Sequence, residues 1–446
     1  MKHFLPQTDD DLREMLEKIG VKDFRELIPC IPPELYLERA LNLPAPLSEL
    51  EALEYLKGLA ASNRSAGNAA CFMGGGAYDH FVPAAVGAIL ARSEFYTAYT
   101  PYQAEVSQGT LQAIYEYQTL ICRLTGMDAA NASHYDGATS LAEAMLVSQA
   151  QVKRDKILVS RGLHPHYLQV LHTYAHSVGL EVDLAPLTGG LTDADYLRRN
   201  ASSAAAVVVQ SPNFLGYIED VAETAGLAHN AGALLVVSAD PISLALLEPP
   251  GKLGADIVTG EGQGLGNSVN FGGPYLGIFA VKKELVRRLP GRLIGATTDV
   301  HGKRGYVMTL QTREQHIRRD KATSNICTNQ ALVALAACIA LELLGEQGLK
   351  DMAELCLQKS HYLADQIAAL PGFSLPWKQP FFKEFPVKYE GDVKALLAGL
   401  AETGYLAGPD LGQYDPAWQG MFLLAATEKR TRKDLDGLVA AMKAAR

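Results

Sequence analysis

The stretch that decides the fold, residues 234–276, reads LLVVSADPISLALLEPPGKLGADIVTGEGQGLGNSVNFGGPYL. Its first residues form an apolar, β-branched run, typical of a buried strand, and this run ends at a single acid, Asp240. A second strand is predicted over residues 256–259, and it leads into a glycine-rich turn that contains Gln263. A Gly-Gly-Pro turn precedes a third apolar strand at residues 275–281. The stretch therefore predicts three buried strands with polar residues in the turns between them.

Around this stretch the chain alternates between predicted strands and predicted helices. Further strands are expected at residues 157–160, 181–185 and 205–210, and helices at residues 165–178 and 222–230. Helical segments of about a dozen residues between strands are typical of crossover connections, which join parallel strands. We therefore expect an α/β fold with a mostly parallel sheet and helices on both faces. The basic segment 282–330 is expected to be irregular, with arginines that are either solvated or paired with carboxylates or a phosphate.

The positions of helix starts and turns divide the chain into three predicted parts. Residues 1–60 form a helical arm, because Thr8 and Ser48 each precede an acid-rich helix start. Residues 61–327 form the large α/β domain. Residues 328–446 form a smaller α+β domain, with strands near residues 385–389 and 421–425 and a last helix from Arg432. Arms of this kind usually pack on a neighbouring chain, and we expect the same here.

Composition argues against several classes of protein. The formal net charge of −9 disfavours a nucleic-acid partner, since binding to a polyanion requires a basic face. The apolar run at residues 331–344 is short for a membrane span and contains Glu342, and the N-terminus lacks the apolar segment of a secretory signal. Six cysteines without a C-x-x-C pair predict reduced thiols and no metal site. We therefore expect a cytoplasmic protein with no membrane or nucleic-acid partner.

Several segments carry candidate functional residues, each with a structural alternative. The loop at residues 71–81 combines a glycine run with aromatics and a histidine, so it either brings backbones close together or faces a ligand. The tyrosine-rich segment 94–109 suits a pocket wall or an interface, because a buried tyrosine hydroxyl needs a partner. Asp136 places a carboxylate at a helix start, which favours a plain N-cap over a phosphate site. His164 and His166 lie in a turn, where a lone histidine is more often solvated than catalytic.

The layout of residues 234–276 resembles the core of fold-type-I enzymes, which use pyridoxal 5′-phosphate (PLP). In that family an aspartate at a strand end pairs with the pyridine nitrogen of the cofactor, and Asp240 has this place. A lysine just past the next strand, in a His-Lys-Thr sequence, forms the Schiff base. The corresponding sequence here is Gly262-Gln263-Gly264, and the amide of Gln263 cannot form an imine because its nitrogen is not nucleophilic. The resemblance therefore implies a vestigial cofactor site, marked by Asp240 and Gln263.

Longer motifs together resemble one family, the P-protein of the glycine cleavage system, in its alpha or N-terminal half. They are Tyr99-Thr100-Pro101-Tyr102-Gln103, Glu105-Val106-Ser107-Gln108-Gly109, Gly260-Glu261-Gly262-Gln263, Gly272-Gly273-Pro274-Tyr275 and Thr312-Arg313-Glu314-Gln315-His316-Ile317-Arg318-Arg319. The resemblance spans nearly the whole chain and implies a decarboxylating glycine dehydrogenase that is active only with a beta subunit, in an α2β2 assembly. It also implies that the beta subunit binds PLP covalently and decarboxylates glycine. The aminomethyl group then passes to the lipoyl arm of H-protein.

The resemblance assigns roles to four further residues. Thr323 lies where fold-type-I relatives reach across an interface to the neighbour's PLP phosphate. Tyr99, Tyr102 and Glu105 would face the glycine bound in the partner's pocket or guide the lipoyl arm. This chain would therefore contribute residues to a site whose cofactor another chain holds.

Two other functions remain open at this point. A self-sufficient PLP enzyme would need another lysine, but Lys252 precedes its strand, and Lys282 and Lys283 follow the third strand of the deciding stretch. A catalytically dead scaffold or regulatory protein would keep the fold without taking part in a reaction. Stoichiometric uptake of PLP by the chain alone would favour the first of these alternatives.

Overall fold

The computed structural model describes residues 8–322 and 324–445. The chain divides into two compact units, Met1–Asn63 and Arg64–Arg446. The first unit contains α1 (Asp9–Ile19) and α2 (Glu49–Ala61), and each begins with a capping box, from Thr8 and Ser48 as the sequence predicts. Every described residue of this unit is exposed or half-buried, including the leucines of α2. The predicted packing of this arm on a neighbouring chain stays a prediction.

The second unit contains the remaining helices and strands. Its first half consists of β1 (Ala70–Cys71), α3 (Ala84–Leu90), α4 (Ser93–Tyr96), α5 (Gln108–Thr125), β2 (Ala129–Ala130), α6 (Gly137–Val152), β3 (Lys156–Ser160), α7 (Pro165–Val178), β4 (Glu181–Ala185), β5 (Leu187–Thr188), β6 (Leu191–Thr192), α8 (Ala194–Asn200), β7 (Ala206–Ser211) and α9 (Val221–Asn230). Its second half consists of β8 (Leu234–Ala239), β9 (Ile257–Glu261), β10 (Gly277–Val281), β11 (Leu293–Thr298), β12 (Arg304–Thr309), α10 (Gln315–Arg318), α11 (Ala331–Ala368), β13 (Phe373–Ser374), β14 (Glu384–Tyr389), α12 (Val393–Glu402), β15 (Tyr405–Leu406), β16 (Met421–Ala425) and α13 (Arg432–Ala444).

A seven-stranded sheet forms the centre of this unit. Its strand order is β2-β10-β9-β8-β7-β3-β4, and the pairs from β9 to β4 are parallel, whereas β10 is antiparallel to both of its neighbours. Side chains alternate between two apolar cores along each strand, so that in β8 Val236 belongs to one core and Leu235 and Val237 to the other. Helices cover both cores, with α6 and α7 on one face and α5, α9 and α11 on the other. The predicted α/β architecture is therefore correct.

The basic segment after β10 differs from the prediction. It is not irregular throughout, because β11 and β12 form an antiparallel hairpin that packs on α5. The side chain of Gln118 bonds the backbone of Ile294 in both directions, with Gln118 Nε2 donating to the carbonyl at 2.9 Å and the amide donating to Oε1 at 3.0 Å. This side chain replaces a neighbouring strand at one point of the hairpin edge. Gln118 and Ile294 are far apart in the sequence, so no local sequence pattern predicts this contact.

The C-terminal part contains a second, antiparallel sheet, β13-β14-β16, packed against α11, α12 and α13. Helix α11 is broken at Gly345, where φ is 61° and ψ is −174°, so it consists of two successive helices separated by one residue. Among the described helices, α11 alone has the length and composition to cross a membrane. Its Ala334, Cys338 and Leu341 lie in a core beside the central sheet, and core helices pass the same test of composition. The predicted domain boundary at residues 327 and 328 stays a prediction.

The fold brings the ends of β8 and β9 close to the start of β14. Asp240 directly follows β8, and Gln263 lies two residues after β9, so both occupy the carboxyl edge of neighbouring parallel strands, where ligands of such sheets bind. Glu384 is the first residue of β14, and Lys383 directly precedes it. Both residues lie at this same edge of the large sheet, so the start of β14 faces it. Gly216 makes the approach possible, because its φ of +86° is left-handed and a Cβ there would overlap the carbonyl of Glu384.

Replacement of Gly216 tests this close approach. We expect Gly216→Ala to lower the free energy of unfolding by about 2–5 kcal/mol, because the methyl group adds a steric clash to the cost of a left-handed backbone. Gly179→Ala is the matched control, since Gly179 is also left-handed, at φ +71°, but a methyl group added there would meet no atom within 4 Å. The control should lose only about 1–2 kcal/mol. Equal losses in urea unfolding would show that β14 does not press on Gly216.

Candidate functional site

A cavity lies where the carboxyl ends of β8 and β9 face the start of β14. Asp240, Gln263 and Lys383 line it, together with Tyr78 from the glycine-rich loop and His164 from the turn after β3. About 50 Å³ of this cavity admits the centres of water molecules. That space holds a few waters, whereas ligand pockets usually have volumes of about 300–1,000 Å³.

Asp240 and Lys383 form an ion pair across this cavity. The Lys383 ammonium lies 2.6 Å from Asp240 Oδ2, and the two side chains are 3% and 15% exposed for lysine and aspartate, respectively. The same ammonium lies 3.9 Å from the centre of the Tyr78 ring, within range of a cation–π contact. The carboxylate expected to pair with a pyridine nitrogen therefore already has a cationic partner within its own chain.

His80 and Glu428 extend this pair into a buried network. Lys383 Nζ lies 3.0 Å from His80 Nε2, and His80 Nδ1 lies 2.7 Å from Glu428 Oε2. Burial, followed by the charge of Lys383, lowers the pKa of His80, so the imidazole is neutral. In that state Nε2 accepts from the ammonium and Nδ1–H donates to Glu428, which fixes the tautomer. Burial opposes ionisation of Glu428, but hydrogen bonds from His80 and Phe81 outweigh it and hold the pKa of Glu428 below its usual range.

The same network includes a cluster of metal-ligand type that does not suit a metal ion. His80, Cys356 and Glu428 each offer an atom within 4.8 Å of the others. However, burial raises the pKa of the Cys356 thiol, which disfavours the thiolate that metals bind. The lone pair of His80 Nε2 faces the positive charge of Lys383. A cation would therefore meet a thiol and an ammonium at this position.

Glu384 fixes the glycine-rich loop against the cavity. Its carboxylate accepts hydrogen bonds from the Gly75 amide at 2.6 Å and from the Tyr78 hydroxyl at 2.8 Å. Burial raises the pKa of Glu384 to about 7 despite these donors. A Cβ at Gly74 would overlap the Glu384 carboxylate. The backbone of the loop therefore passes close to β14, as one of the two alternatives from the sequence has it, and its residues line the cavity.

Gln263 is a structural amide. It is 1% exposed. Its Oε1 accepts from the Tyr78 amide at 2.9 Å, and its Nε2 donates to the carbonyls of Tyr78 and Asn267 at 3.1 and 2.8 Å. The side chain thus joins the glycine-rich loop to the turn after β9. The position where fold-type-I enzymes carry their lysine is therefore buried and hydrogen-bonded here, and it carries no amine.

The side chain of Glu261 accepts a hydrogen bond from the backbone at the start of α6. Its carboxylate accepts from the amides of Gly137 at 3.0 Å, Leu276 at 2.8 Å and Gln263 at 3.0 Å. Burial raises the pKa of Glu261 to about 8. The predicted N-cap is also present, because Asp136 accepts from the Thr139 amide at 2.8 Å and completes a capping box. Two carboxyl groups therefore occupy a helix terminus whose amides would otherwise favour a phosphate.

PLP does not fit these residues. Its ring nitrogen would have to displace Lys383 from Asp240, and its phosphate would meet the carboxylates of Glu261 and Asp136. Its aldehyde would find the amide of Gln263 in place of a lysine amine. The vestigial character inferred from Gln263 and Asp240 stays a prediction.

The tyrosine-rich segment lies at a second, larger cavity. Tyr99 is 85% exposed and lines this cavity with Tyr96, Arg292 and Asn329, and about 170 Å³ of it admits the centres of water molecules. Tyr102 is 51% exposed and lies outside the lining. The opening faces solvent, so a tyrosine hydroxyl there is available to a bound molecule or to another chain.

Tyr102 connects this segment to the basic segment. Its ring makes an edge-to-face contact with His316 at 5.8 Å, and the Arg292 guanidinium lies 6.0 Å from the ring centre. Arg292 also donates to the carbonyl of Cys327 at 2.8 Å. Glu105 is exposed on a short 3₁₀ helix, Ala104–Val106, and lines neither cavity. The structure thus brings Tyr99 and Tyr102 to one surface around Arg292, whereas Glu105 lines neither cavity.

Thr323 lies outside the described residues, so its expected contact with a neighbouring PLP phosphate stays a prediction. The residues that follow it are anchored to the large sheet. The Tyr135 hydroxyl accepts from the Cys327 amide at 3.2 Å, and Asn329 Nδ2 donates to the carbonyl of Ala132 at 2.7 Å.

Sequence reasoning missed several cavity residues. Lys383 and Glu384 interrupt the apolar run around Phe382 and Phe385, and adjacent opposite charges inside such a run are a signal for a buried, paired site. The solvated histidine expected at the turn after β3 is wrong for His164, which is buried and lies 2.7 Å from the carbonyl of Gly75 through Nε2. Burial lowers the pKa of His164 to about 4, so Nε2–H donates as a neutral imidazole.

Solved structures place this fold among fold-type-I enzymes. A crystal structure of glycine decarboxylase, the P-protein of the glycine cleavage system, in inhibitor-bound form has a TM-score of 0.92 and 46% identity, and the match covers 100% of each chain. A glutamate decarboxylase from Lactobacillus brevis has a TM-score of 0.70 at 12% identity over 92% of this chain and 95% of its own. The second similarity concerns the fold alone, and both confirm the predicted fold class.

Sequence comparisons identify the family. A probable glycine dehydrogenase (decarboxylating) subunit 1 from Chlorobium phaeobacteroides is 56% identical over 440 residues, or 98% of each chain. A probable subunit 1 of the same enzyme from Moorella thermoacetica is 52% identical over 441 residues, or 99% of each chain. The family model for the glycine cleavage system P-protein matches residues 2–442. The chain therefore belongs to the glycine cleavage system P-protein family.

Proposed function

We propose that this chain is the subunit without a Schiff-base lysine in a two-subunit, decarboxylating glycine dehydrogenase. A beta subunit holds PLP, which when bound supplies the electron sink for decarboxylation, and H-protein receives the aminomethyl group on its lipoyl arm. The assembly is an α2β2 tetramer in the cytoplasm. Relatives that are 52–56% identical over 98–99% of this chain bear the words subunit 1 in their names, which supports a partner chain.

One observation carries the proposal: the cofactor position of this chain lacks an amine. Gln263 stands at the lysine position with its amide fully engaged. Three described lysines offer no substitute in this cavity, because Lys383 is ion-paired with Asp240, Lys252 is exposed beside Glu248, and Lys282 is paired with Asp256. These contacts argue against a self-sufficient PLP enzyme.

The role of this chain in the reaction is to contribute lining residues to the partner's pocket. Tyr99 and Tyr102 are exposed on the Arg292 surface, where their hydroxyls can bind a carboxylate or exclude water at an interface. Arg292 supplies a cation beside them. Glycine has a carboxylate, so this combination suits substrate binding. Glu105 and Thr323 keep their proposed places in that wall, at the lipoyl path and at the PLP phosphate. A catalytically dead scaffold would have no use for such contacts.

The chain alone should take up no stoichiometric PLP. We expect neither the colour of an imine nor a borohydride-stable pyridoxyl adduct at one lysine per chain when the purified protein is mixed with one equivalent of PLP, because no amine faces a free ring site. Absorbance spectroscopy and peptide mapping provide the readout. A single lysine labelled in stoichiometric amount would contradict the proposal and favour a self-sufficient enzyme.

The proposed wall predicts a specific loss of activity in Tyr99→Phe. Reconstituted with the beta subunit and H-protein, this variant should catalyse glycine-dependent CO₂ exchange about tenfold more slowly, which corresponds to the loss of one hydrogen bond of about 1.4 kcal/mol. Tyr362→Phe is the matched control, since it removes a hydroxyl that bonds Asp436 on a different surface. The control should keep the wild-type rate. If both variants match the wild type, Tyr99 does not contribute to the pocket, and a scaffold role gains support.

A further inference from the structure

We propose that Lys383 and Glu261 take the places of the two charged ends of PLP, so that this chain's cavity stays closed to the cofactor even if position 263 carries a lysine. This inference goes beyond the proposed function, which requires only that the lysine be absent. The two residues, here called the filling residues, lie at opposite ends of the former ligand site.

Lys383 corresponds to the ring end. A bound cofactor would bring a protonated pyridine nitrogen to Asp240, which is a cation against a buried carboxylate. Lys383 brings a cation to the same carboxylate at 2.6 Å. Its ammonium also covers the Tyr78 ring and bonds His80, so three partners hold it in a cavity where it is 3% exposed. The carboxylate is therefore compensated without a ligand.

Glu261 corresponds to the phosphate end. Amides at a helix start favour an anion, and in α6 the first-turn amide of Gly137 faces the carboxylate of Glu261 at 3.0 Å. Two further amides, of Leu276 and Gln263, bond the same carboxylate, so both of its oxygens accept hydrogen bonds. An incoming phosphate would have to displace a carboxyl group that three backbone donors already hold.

The filling residues also connect separate parts of the fold. Lys383 lies at the start of β14, whereas Asp240 follows β8, and Glu261 at the end of β9 bonds the start of α6. Each contact therefore joins two elements that a ligand would otherwise bridge. Removal of the contacts should open the cavity, provided that the surrounding network keeps its fold.

Restoring the lysine separates this proposal from the proposed function. The variants are Gln263→Lys alone, Gln263→Lys with Lys383→Ala and Glu261→Ser, and a matched control, Gln263→Lys with Lys252→Ala and Glu248→Ser. The control removes the same two charges from an exposed pair whose atoms lie 3.1 Å apart. Each full-length chain is incubated with PLP, reduced with borohydride and mapped for adducts at position 263, and unfolding curves confirm that it is folded.

The expected result is at least about tenfold more adduct at position 263 in the variant without filling residues than in either other variant. If Gln263→Lys alone is labelled as strongly as the variant without filling residues, the proposal is overturned, because the missing lysine alone would then account for the lack of PLP binding. A folded variant without filling residues that forms no adduct would also overturn it. Either outcome leaves the proposed function intact, since that depends on the wild-type chain.

A second measurement uses only the wild-type protein, and it tests the proposal even if the triple variant fails to fold. Wild-type protein is treated with excess PLP and borohydride, and the modification rates of individual lysines are compared. Lys383 should react at least about 100-fold more slowly than Lys252, which is 66% exposed, because its amine is held in a closed cavity. Comparable rates would show that the cavity opens to PLP and would overturn the proposal.

Discussion

The ion pair between Lys383 and Asp240 is the constraint on which the rest of the site depends. An unpaired carboxylate at the end of β8 would be costly to bury, and the cation that compensates it comes from Lys383, which directly precedes β14 of the second sheet. The pair therefore couples the charge of a former ligand site to the packing of β14 against the large sheet. Tyr78, His80 and Glu384 are held in place around it.

Under the proposed function, this arrangement explains how a fold-type-I chain is stable without a cofactor of its own. In an enzyme that binds PLP, the ligand connects the strand ends of the large sheet with the start of the next helix. Here Gln263, Glu261 and Lys383 make those connections with side chains, and the remaining cavity is small. The surface that stays open lies elsewhere, around Tyr99, Tyr102 and Arg292. One subunit can thus supply pocket walls while its partner supplies the reactive group.

The sequence predicted most of the central fold, because apolar strands and amphipathic helices carry their periodicity locally. Strand β4 and helix α7 begin and end where the pattern predicts, and Asp136 caps its helix. Local pattern does not reveal contacts between distant segments. The hairpin β11–β12 depends on Gln118, and the cavity depends on Lys383, which is far from Asp240 in the chain. Gln263 could be singled out only because a family resemblance places a lysine there.

A double-mutant cycle on Asp240 and Lys383 tests the central claim most directly. Urea unfolding would be measured for Asp240→Asn, Lys383→Met, the double variant and the wild type. Each single variant should lose about 3–5 kcal/mol, because it leaves one buried charge without its partner. The double variant should lose much less than the sum of the two, since no unpaired charge remains. Additive losses, or single variants as stable as the wild type, would contradict the account.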